Sequence, residues 1–143
     1  MRQMFGKKCI YYQEYCIYVG RGYIKLDEVV SLLKQTYWAQ NRSRELILRS
    51  LNNSRCYGIR DKEYNLVGFA RVITDYATTY YLCDVIIDTN HQRMGLGKEL
   101  MRFIIEDEEL SGLSGMLVTE NAHKFYEKFG FVRAGVRFMQ RVN

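Results

Sequence analysis

The sequence predicts an α/β (α+β) domain: a mixed, mostly antiparallel sheet of six to seven strands flanked by about four helices. Three observations predict it. The strand-like runs "CYGIR", "LVGFARVI" and "TTYYLCDVII" are joined by the short links "DKEYN" and "TDYA", and links that short join antiparallel neighbours. A strand–helix–strand unit follows them, as a crossover requires. The 143 residues contain no proline, repeat or low-complexity linker, so residues 1–143 read as a single domain.

The elements follow in order. "EYCIYVG" alternates and stops at Gly20 and Gly22, which marks a first strand. "LDEVVSLLKQTYWAQ" sets Val29 or Val30, Leu33 and Tyr37 at helical spacing, with Asp27 and Glu28 in the dipole-favoured first turn. "NRSRELILRSLNNS" offers a cap at Asn41 or Ser43, then Leu46, Ile47 and Leu51, and stops in a breaker cluster. After the three strands, a helix is expected from about Gly95 to Asp107, burying Leu96, Leu100, Phe103 and Ile104. The acids of "EDEEL" oppose the dipole, so the helix should end or fray there. "SGMLVT" is a fifth strand and "NAHKFYEKFG" a short helix stopped by Gly130. "FVRAGVRFMQRVN" is expected to finish the sheet with two strands, whose edges would suit a homodimer.

Composition narrows the function. The chain is 48% hydrophobic and 26% charged, with net charge +5. Residues 1–22 carry +3 and residues 123–143 carry +4, leaving −2 for the rest. Such basic ends could meet nucleic acid or a small phosphorylated ligand, or only keep the chain dissolved. No nucleic-acid recognition motif accompanies them, so that reading ranks last. Cys9, Cys16, Cys56 and Cys83 lack the C-x-x-C spacing and only His91 and His123 could join them, so no metal site is expected. Cys16 and Cys83 read as buried thiols. With no disulfide framework, no apolar leader core and no apolar run near ~20 residues, a cytoplasmic protein without a membrane partner is the expectation.

The chemistry concentrates in "DVIIDTNHQRMGLGKELM", residues 84–101. Gly95 and Gly97 stand where a helix should nucleate, although glycine costs about 1 kcal/mol there relative to alanine. The first N–H groups of a helix have no internal partner and carry partial positive charge. Without Cβ atoms, the backbone can approach a pyrophosphate closely. Gln92, Arg93 and Lys98 would add donors and charge. A Walker A loop fails because position 92 is Gln and Glu99 follows Lys98; a dinucleotide fingerprint fails because position 100 is Leu.

The Gln-x-x-Gly-x-Gly pattern from Gln92 to Gly97, behind an apolar strand, resembles the acetyl-CoA loop of the GNAT acetyltransferase superfamily. "AHKFYEKFGF", about thirty residues on, resembles that family's last helix. The resemblance covers roughly residues 25–135. Thr89 and Arg93 depart from it, where the family often has proline and glycine. It implies a sheet splayed between the fourth and fifth predicted strands, with acetyl-CoA as co-substrate and no metal. Val85, Ile86 and Ile87 would pair with the pantetheine arm, with the Ile86 N–H polarising the thioester carbonyl. The amides of Arg93, Met94, Gly95, Leu96, Gly97 and Lys98 would hold the pyrophosphate, and Asn121 would touch the cofactor or cap its helix.

Acetyl transfer to an amine needs a neutral nucleophile, a stabilised oxyanion and a proton for the leaving thiolate. The resemblance makes Tyr126 the general acid; helix geometry sets it about 100° from Phe125, free to face the cleft while Phe125 and Phe129 hold the helix down. Asp84 interrupts an apolar strand and is either a base, through water, or a structural acceptor. Simple alternation groups it with Leu82 and Ile86 unless a bulge intervenes. Asp75 is a second candidate base. The acceptor pocket is expected from Tyr37, Trp38, Arg42, Asp75, Tyr76 and Tyr80, whose aromatic faces suit a cationic amine. The reading is an N-acetyltransferase acting by direct attack on acetyl-CoA. Its alternatives are an acyl-CoA-binding sensor without turnover and, last, a nucleic-acid binder.

Overall fold

The computed structural model describes residues 9–142; Arg2, Lys7 and Lys8 of the basic N-terminal stretch lie outside them. The sheet has six strands in the order β1-β2-β3-β4-β5-β6. These are β1 (Cys9–Tyr12), β2 (Tyr15–Val19), β3 (Arg55–Arg60), β4 (Leu66–Thr74), β5 (Thr79–Ile87) and β6 (Ser114–Met116). Every neighbouring pair is antiparallel except β5 and β6, which are parallel. The helices are α1 (Leu26–Leu33), α2 (Arg44–Asn52), α3 (Leu96–Ile105) and α4 (His123–Glu127).

Strand periodicity explains the two cores. Alternate residues of β2 to β5 point to opposite faces. One face packs Ile17, Tyr57, Ile59, Val72 and Leu82 beneath Leu96, Leu100 and Ile104 of α3. The other packs Tyr18, Cys56 and Phe69 beneath Val29 and Leu33 of α1 and Ile47 and Leu51 of α2.

Several boundaries differ from expectation, each for a local reason. The first strand is preceded by another, β1, joined to it through a tight turn in which Gln13 takes φ 54°. Helix α1 stops at Leu33 rather than running to Tyr37. The Thr36 hydroxyl donates to the Leu33 carbonyl at 2.8 Å and accepts from the Ala39 N–H at 3.0 Å, folding the chain into a turn. Tyr37 is left 63% exposed. Ser43, not Asn41, caps α2 by accepting from Leu46 N–H at 3.2 Å. Helix α3 ends before the acidic run, and Asp107 instead accepts from Arg55 Nε at 2.7 Å.

The thiols are distributed differently from the sequence reading. Cys56 is buried, whereas Cys16 and Cys83 are only partly covered and Cys9 is exposed. Residues 131–142 form no strand. A left-handed residue, Gly135 (φ 62°), breaks the run and starts a short 3-10 turn over Gly135–Arg137. The strand edges foreseen near the C-terminus are therefore absent, and the sheet ends at β6. Among the described residues no helix is long and apolar enough to cross a membrane.

Candidate active site

The site begins where two parallel strands part. β6 pairs with β5 only at Thr79, Tyr80 and Tyr81. Beyond Tyr81 that side of β5 has no strand beside it, and a cleft of about 300 Å³ opens between β5, the loop after it, α3 and α4. Its walls bring together Val85, Ile86, Ile87, Gln92, Arg93, Gly95, Leu96, Gly97 and Tyr126 of the expected site, with Phe125 and His91 besides.

A bulge shapes the β5 wall. Phe69 faces Ile86 and Arg71 faces Cys83, so Asp84 and Val85 together oppose Ala70. Asp84 takes φ 54°, a left-handed conformation that costs a non-glycine residue of order 1–3 kcal/mol. The extra residue inverts the pleat. Leu82 packs beneath α3, Ile86 packs beneath α1 and α2, and Val85 and Ile87 succeed Leu82 on the α3 face. Asp84 therefore does not share one face with both Leu82 and Ile86.

The bulge also decides which amides are free. Asp88 N–H donates to the Val67 carbonyl at 2.8 Å. Hydrogen-bonded pairs recur every second residue along an antiparallel ladder, so Ile86, opposite Phe69, turns its N–H to β4. The resemblance assigned the thioester carbonyl to the Ile86 amide, and this register sets that amide on the β4 side rather than the open side. Ile87 faces the open side, where its carbonyl accepts from Gln92 Nε2 at 3.1 Å. Ala70, on the alternate positions of β4, directs its polar groups to Tyr57 on β3. Asp84 and Val85 are thus left without ladder partners at the lip of the cleft.

Asp84 itself is not a lone carboxylate. Its Oδ2 accepts from Arg42 at 2.7 Å and from Arg71 at 2.8 Å. Burial alone would raise its pKa; the two guanidinium hydrogen bonds outweigh that and hold it below the usual carboxylate range. The acceptor expectation is met by two side chains rather than by backbone.

The loop from Asp88 to Gly95 is anchored on both flanks. Gln35 donates to Asp88 Oδ1 at 2.7 Å and accepts from Thr89 N–H at 3.1 Å. Tyr12 donates to the Met94 carbonyl at 3.1 Å, and the Tyr15 hydroxyl lies 2.9 Å from His91 Nδ1. Sequence reasoning missed these three residues; the sole signal was a cluster of tyrosines before Gly20. Gln92 is a brace for Ile87, not only a donor for an anion.

The two glycines serve different ends. Gly95 caps α3 at φ 82°, and a Cβ there would sit 2.9 Å from Tyr12 Oη. Gly97 has no such constraint: its nearest neighbour to a Cβ would be Phe125 Cζ at an ordinary 3.6 Å. Nothing in the protein requires glycine at 97, yet the missing Cβ opens into the cleft beside the first-turn amides of Leu96, Gly97 and Lys98, which have no acceptor within the helix. Those three amides are the groups in the cleft that could hold the pyrophosphate of a coenzyme.

Tyr126 faces the cleft from α4. Its ring packs edge-on against Phe125 and Phe131 at 5.1 and 6.2 Å, and burial pushes its pKa up to about 12. The hydroxyl thus stays protonated at neutral pH.

Other expected residues lie elsewhere. Met94 and Lys98 are exposed and do not line the cleft, though Lys98 sits on the first turn of α3. Asn121 caps nothing: the cap of α4 is Ala122, whose N–H donates to Thr119 Oγ1 at 3.0 Å. Tyr37 and Trp38 stack edge-to-face at 5.4 Å, and Tyr37 donates to Glu120 Oε2 at 2.6 Å. Tyr80 belongs to the core beneath α3, not to an acceptor pocket. Asp75 closes the β4–β5 turn by accepting from Ala77 and Thr78 N–H groups and the Thr78 hydroxyl, which hold its pKa down. Along β5 the hairpin end at Thr79 is roughly 23 Å from Ile86, so Asp75 and Tyr76 stand away from the cleft. Among the described residues no three His, Cys, Asp or Glu side chains converge as metal ligands would.

Known proteins share this fold. A solved structure from Xanthomonas campestris pv. campestris, assigned to the GNAT family, superposes with a TM-score of 0.81 at 32% identity, covering 89% of this chain and 93% of that one. An N-acetyltransferase ycf52 of Pyropia yezoensis is 27% identical over 116 residues, and a ycf52-like N-acetyltransferase of Prochlorococcus marinus is 28% identical over 141. The first match covers 77% of this chain and 66% of the relative; the second covers 91% and 78%. This chain thus spans about two thirds of the length of the Pyropia relative. The model of the acetyltransferase (GNAT) family matches residues 26–131. With the splayed strands, the bulge and the glycine-opened helix start in place, the chain belongs to the acetyltransferase (GNAT) family.

Proposed function

We propose that the protein is an N-acetyltransferase that moves an acetyl group from acetyl-CoA to a primary amine by direct attack. The observation that carries the reading is the single cleft that joins the bare amides of α3, the unpaired lip of β5 and the Tyr126 hydroxyl. Acetyl-CoA supplies the acyl group as a thioester.

Each part has a physical task. The amides of Leu96, Gly97 and Lys98, with the charge of Arg93, hold the diphosphate. The open side of β5 takes an extended chain as an added strand would. The Val85 N–H, free because Ala70 turns to β3, stabilises developing negative charge on the carbonyl oxygen. Tyr126, neutral at working pH, gives its proton to the departing sulfur, and the proton that the nitrogen sheds as the amide forms returns through water to the tyrosinate. Asp84, committed to Arg42 and Arg71, holds the bulge instead of taking a proton. The acceptor approaches from the side of Trp38, Tyr37 and Arg42.

The test is thiol release from acetyl-CoA across polyamines, aralkylamines, lysine peptides and aminoglycosides. Release that depends on one acceptor class supports the proposal. Tight CoA binding with no release on any amine would favour an acyl-CoA-binding protein without turnover.

A further inference from the structure

Where β5 and β6 part, one loop ties the two sides together again. Residues 34–43 are fastened to the β5 side by Gln35, which bonds Asp88 and Thr89, and by Arg42, which donates to Asp84. They are fastened to the other side by Tyr37, which donates at 2.6 Å to Glu120 Oε2 on the connection from β6 to α4. The loop therefore bridges the opening. Tyr81 is the last β5 residue paired with β6, opposite Met116, and Val85 and Glu120 each lie four residues beyond that pair. They stand level on the two sides, and a chain added between them as a strand sets them about 10 Å apart.

The charges across the opening are opposite. On the Val85 side the guanidinium groups of Arg42 and Arg71 share the one carboxylate of Asp84, which leaves a positive charge in excess. A like charge disfavours an ammonium there and favours a neutral amine, the form that attacks a thioester. On the far side Glu120 is exposed, and its partner among the described residues is the neutral Tyr37 hydroxyl. Its negative charge is therefore not cancelled, and Oε1 is left over for a ligand. Trp38, packed edge-on against Tyr37 and 48% exposed, adds an aromatic face of the kind that suits a cation.

We propose that Glu120 is a specificity-determining residue that binds a second ammonium group of the acceptor, which makes the acceptor a diamine or polyamine. The inference rests on the acetyl-transfer reading above and names the acceptor class for that site. The reacting nitrogen must be neutral when it attacks, so it is not the group that Glu120 holds. The carboxylate holds a charge farther along the same molecule, while the excess positive charge beside Asp84 keeps the other end unprotonated. Tyr37 is a positioning residue, because its hydroxyl fixes the Glu120 carboxylate in place.

Acetyl transfer to hexamethylenediamine, hexylamine and aminohexanoate tests it, in the whole chain and in Glu120→Gln. The diamine should exceed the monoamine in kcat/KM by about five- to tenfold, beyond the statistical advantage of its second amine, and chiefly through KM. In Glu120→Gln the ratio should fall to that statistical advantage, and Tyr37→Phe should lower it partway. A second readout needs no turnover. Trp38 is the one tryptophan of the chain, and its ring packs on Tyr37. The diamine should shift its emission, hexylamine should not, and Glu120→Gln should abolish the shift. Transfer with no preference for the diamine, or with a preference that Glu120→Gln leaves intact, overturns the proposal while the acetyl-transfer reading stands. A preference for aminohexanoate overturns it too, by placing the acceptor's second charge on an arginine. If no amine is acetylated, that reading fails, and a Trp38 emission that the diamine and hexylamine shift equally, or not at all, overturns the proposal separately.

Discussion

Replacing Gly97 by alanine should make the protein more stable and a poorer binder of coenzyme A. The first effect follows from helix energetics. Gly97 lies inside α3, and a Cβ there meets only Phe125 Cζ at 3.6 Å and Ile87 Cγ1 at 3.9 Å. Alanine removes a helix penalty of about 0.8–1.0 kcal/mol. Unfolding entropy near 2.1 cal/mol/K per residue gives roughly 300 cal/mol/K for this chain, so Tm should rise by about 3 °C. The second effect follows from the cleft. The methyl occupies the space through which an anion would reach the Leu96, Gly97 and Lys98 amides. Losing one hydrogen bond to a charged group costs about 1.5–3 kcal/mol, or roughly a ten- to hundredfold rise in Kd. Scanning calorimetry of the ligand-free protein and titration calorimetry with coenzyme A read the two effects separately. Gly95→Ala is the control, because its left-handed φ and the nearby Tyr12 hydroxyl predict a loss of about 1–2 kcal/mol and a lower Tm. A Gly97→Ala protein with lower Tm, or with unchanged affinity for coenzyme A, would refute the assignment of that glycine to a ligand.

Tyr126→Phe should lower kcat about 10²- to 10⁴-fold with coenzyme A affinity and Tm nearly unchanged, since both ring contacts survive; stopped-time thiol assays and calorimetry check this. Asp84→Asn should destabilise by roughly 3–5 kcal/mol, because two guanidinium groups lose their counter-charge in a buried site; denaturant unfolding at pH 7 measures it. In the wild-type chain the depressed Asp84 pKa means its contribution is present above the unfolded carboxylate value and is lost as pH falls through the folded one. Stability should therefore decline from about pH 5 downward, and that decline should be shallower in Asp84→Asn. Asp75→Ala should lower Tm by loosening the β4–β5 turn while leaving acetyl transfer unaffected, which a paired melting and activity measurement would show.

Much of the framework was legible because it rests on local rules. The short links between the three central strands fixed their antiparallel order, and glycines marked the start of α3 and the end of α4. The loop and its two glycines could be read because the helix penalty at Gly97 has no compensation in local sequence. What escaped was set by distant partners. Tyr12, Tyr15 and Gln35 brace the loop from residues 53 to 82 positions away, which no periodicity encodes. Tyr80 looked like a pocket residue because aromatic rings occur in both cores and acceptor sites. Tyr37 completes a helical pattern that the Thr36 hydroxyl interrupts.

Asp84 shows how a signal that the sequence raises with two readings is explained by distant partners. A carboxylate amid "YLCDVII" is anomalous in any strand, and the sequence flags it. Its conformation explains it better than its charge. At φ 54° a non-glycine backbone is strained, and something must hold it there. Arg42 from the loop ahead of α2 and Arg71 from β4 both grip one oxygen, at 2.7 and 2.8 Å. Those bonds form only if Asp84 projects toward the α1–α2 face, which the bulged backbone permits. The bulge in turn shifts the ladder so that Ile86 pairs with β4 while Asp84 and Val85 do not. A charged cluster on one face of the sheet thus determines which amides are free at the lip of the cleft. On this account Arg71→Leu, far from any phosphate contact, should relax the bulge. It should reduce kcat by more than it weakens binding of coenzyme A. An equal loss in both would mean that the cluster supports the fold alone.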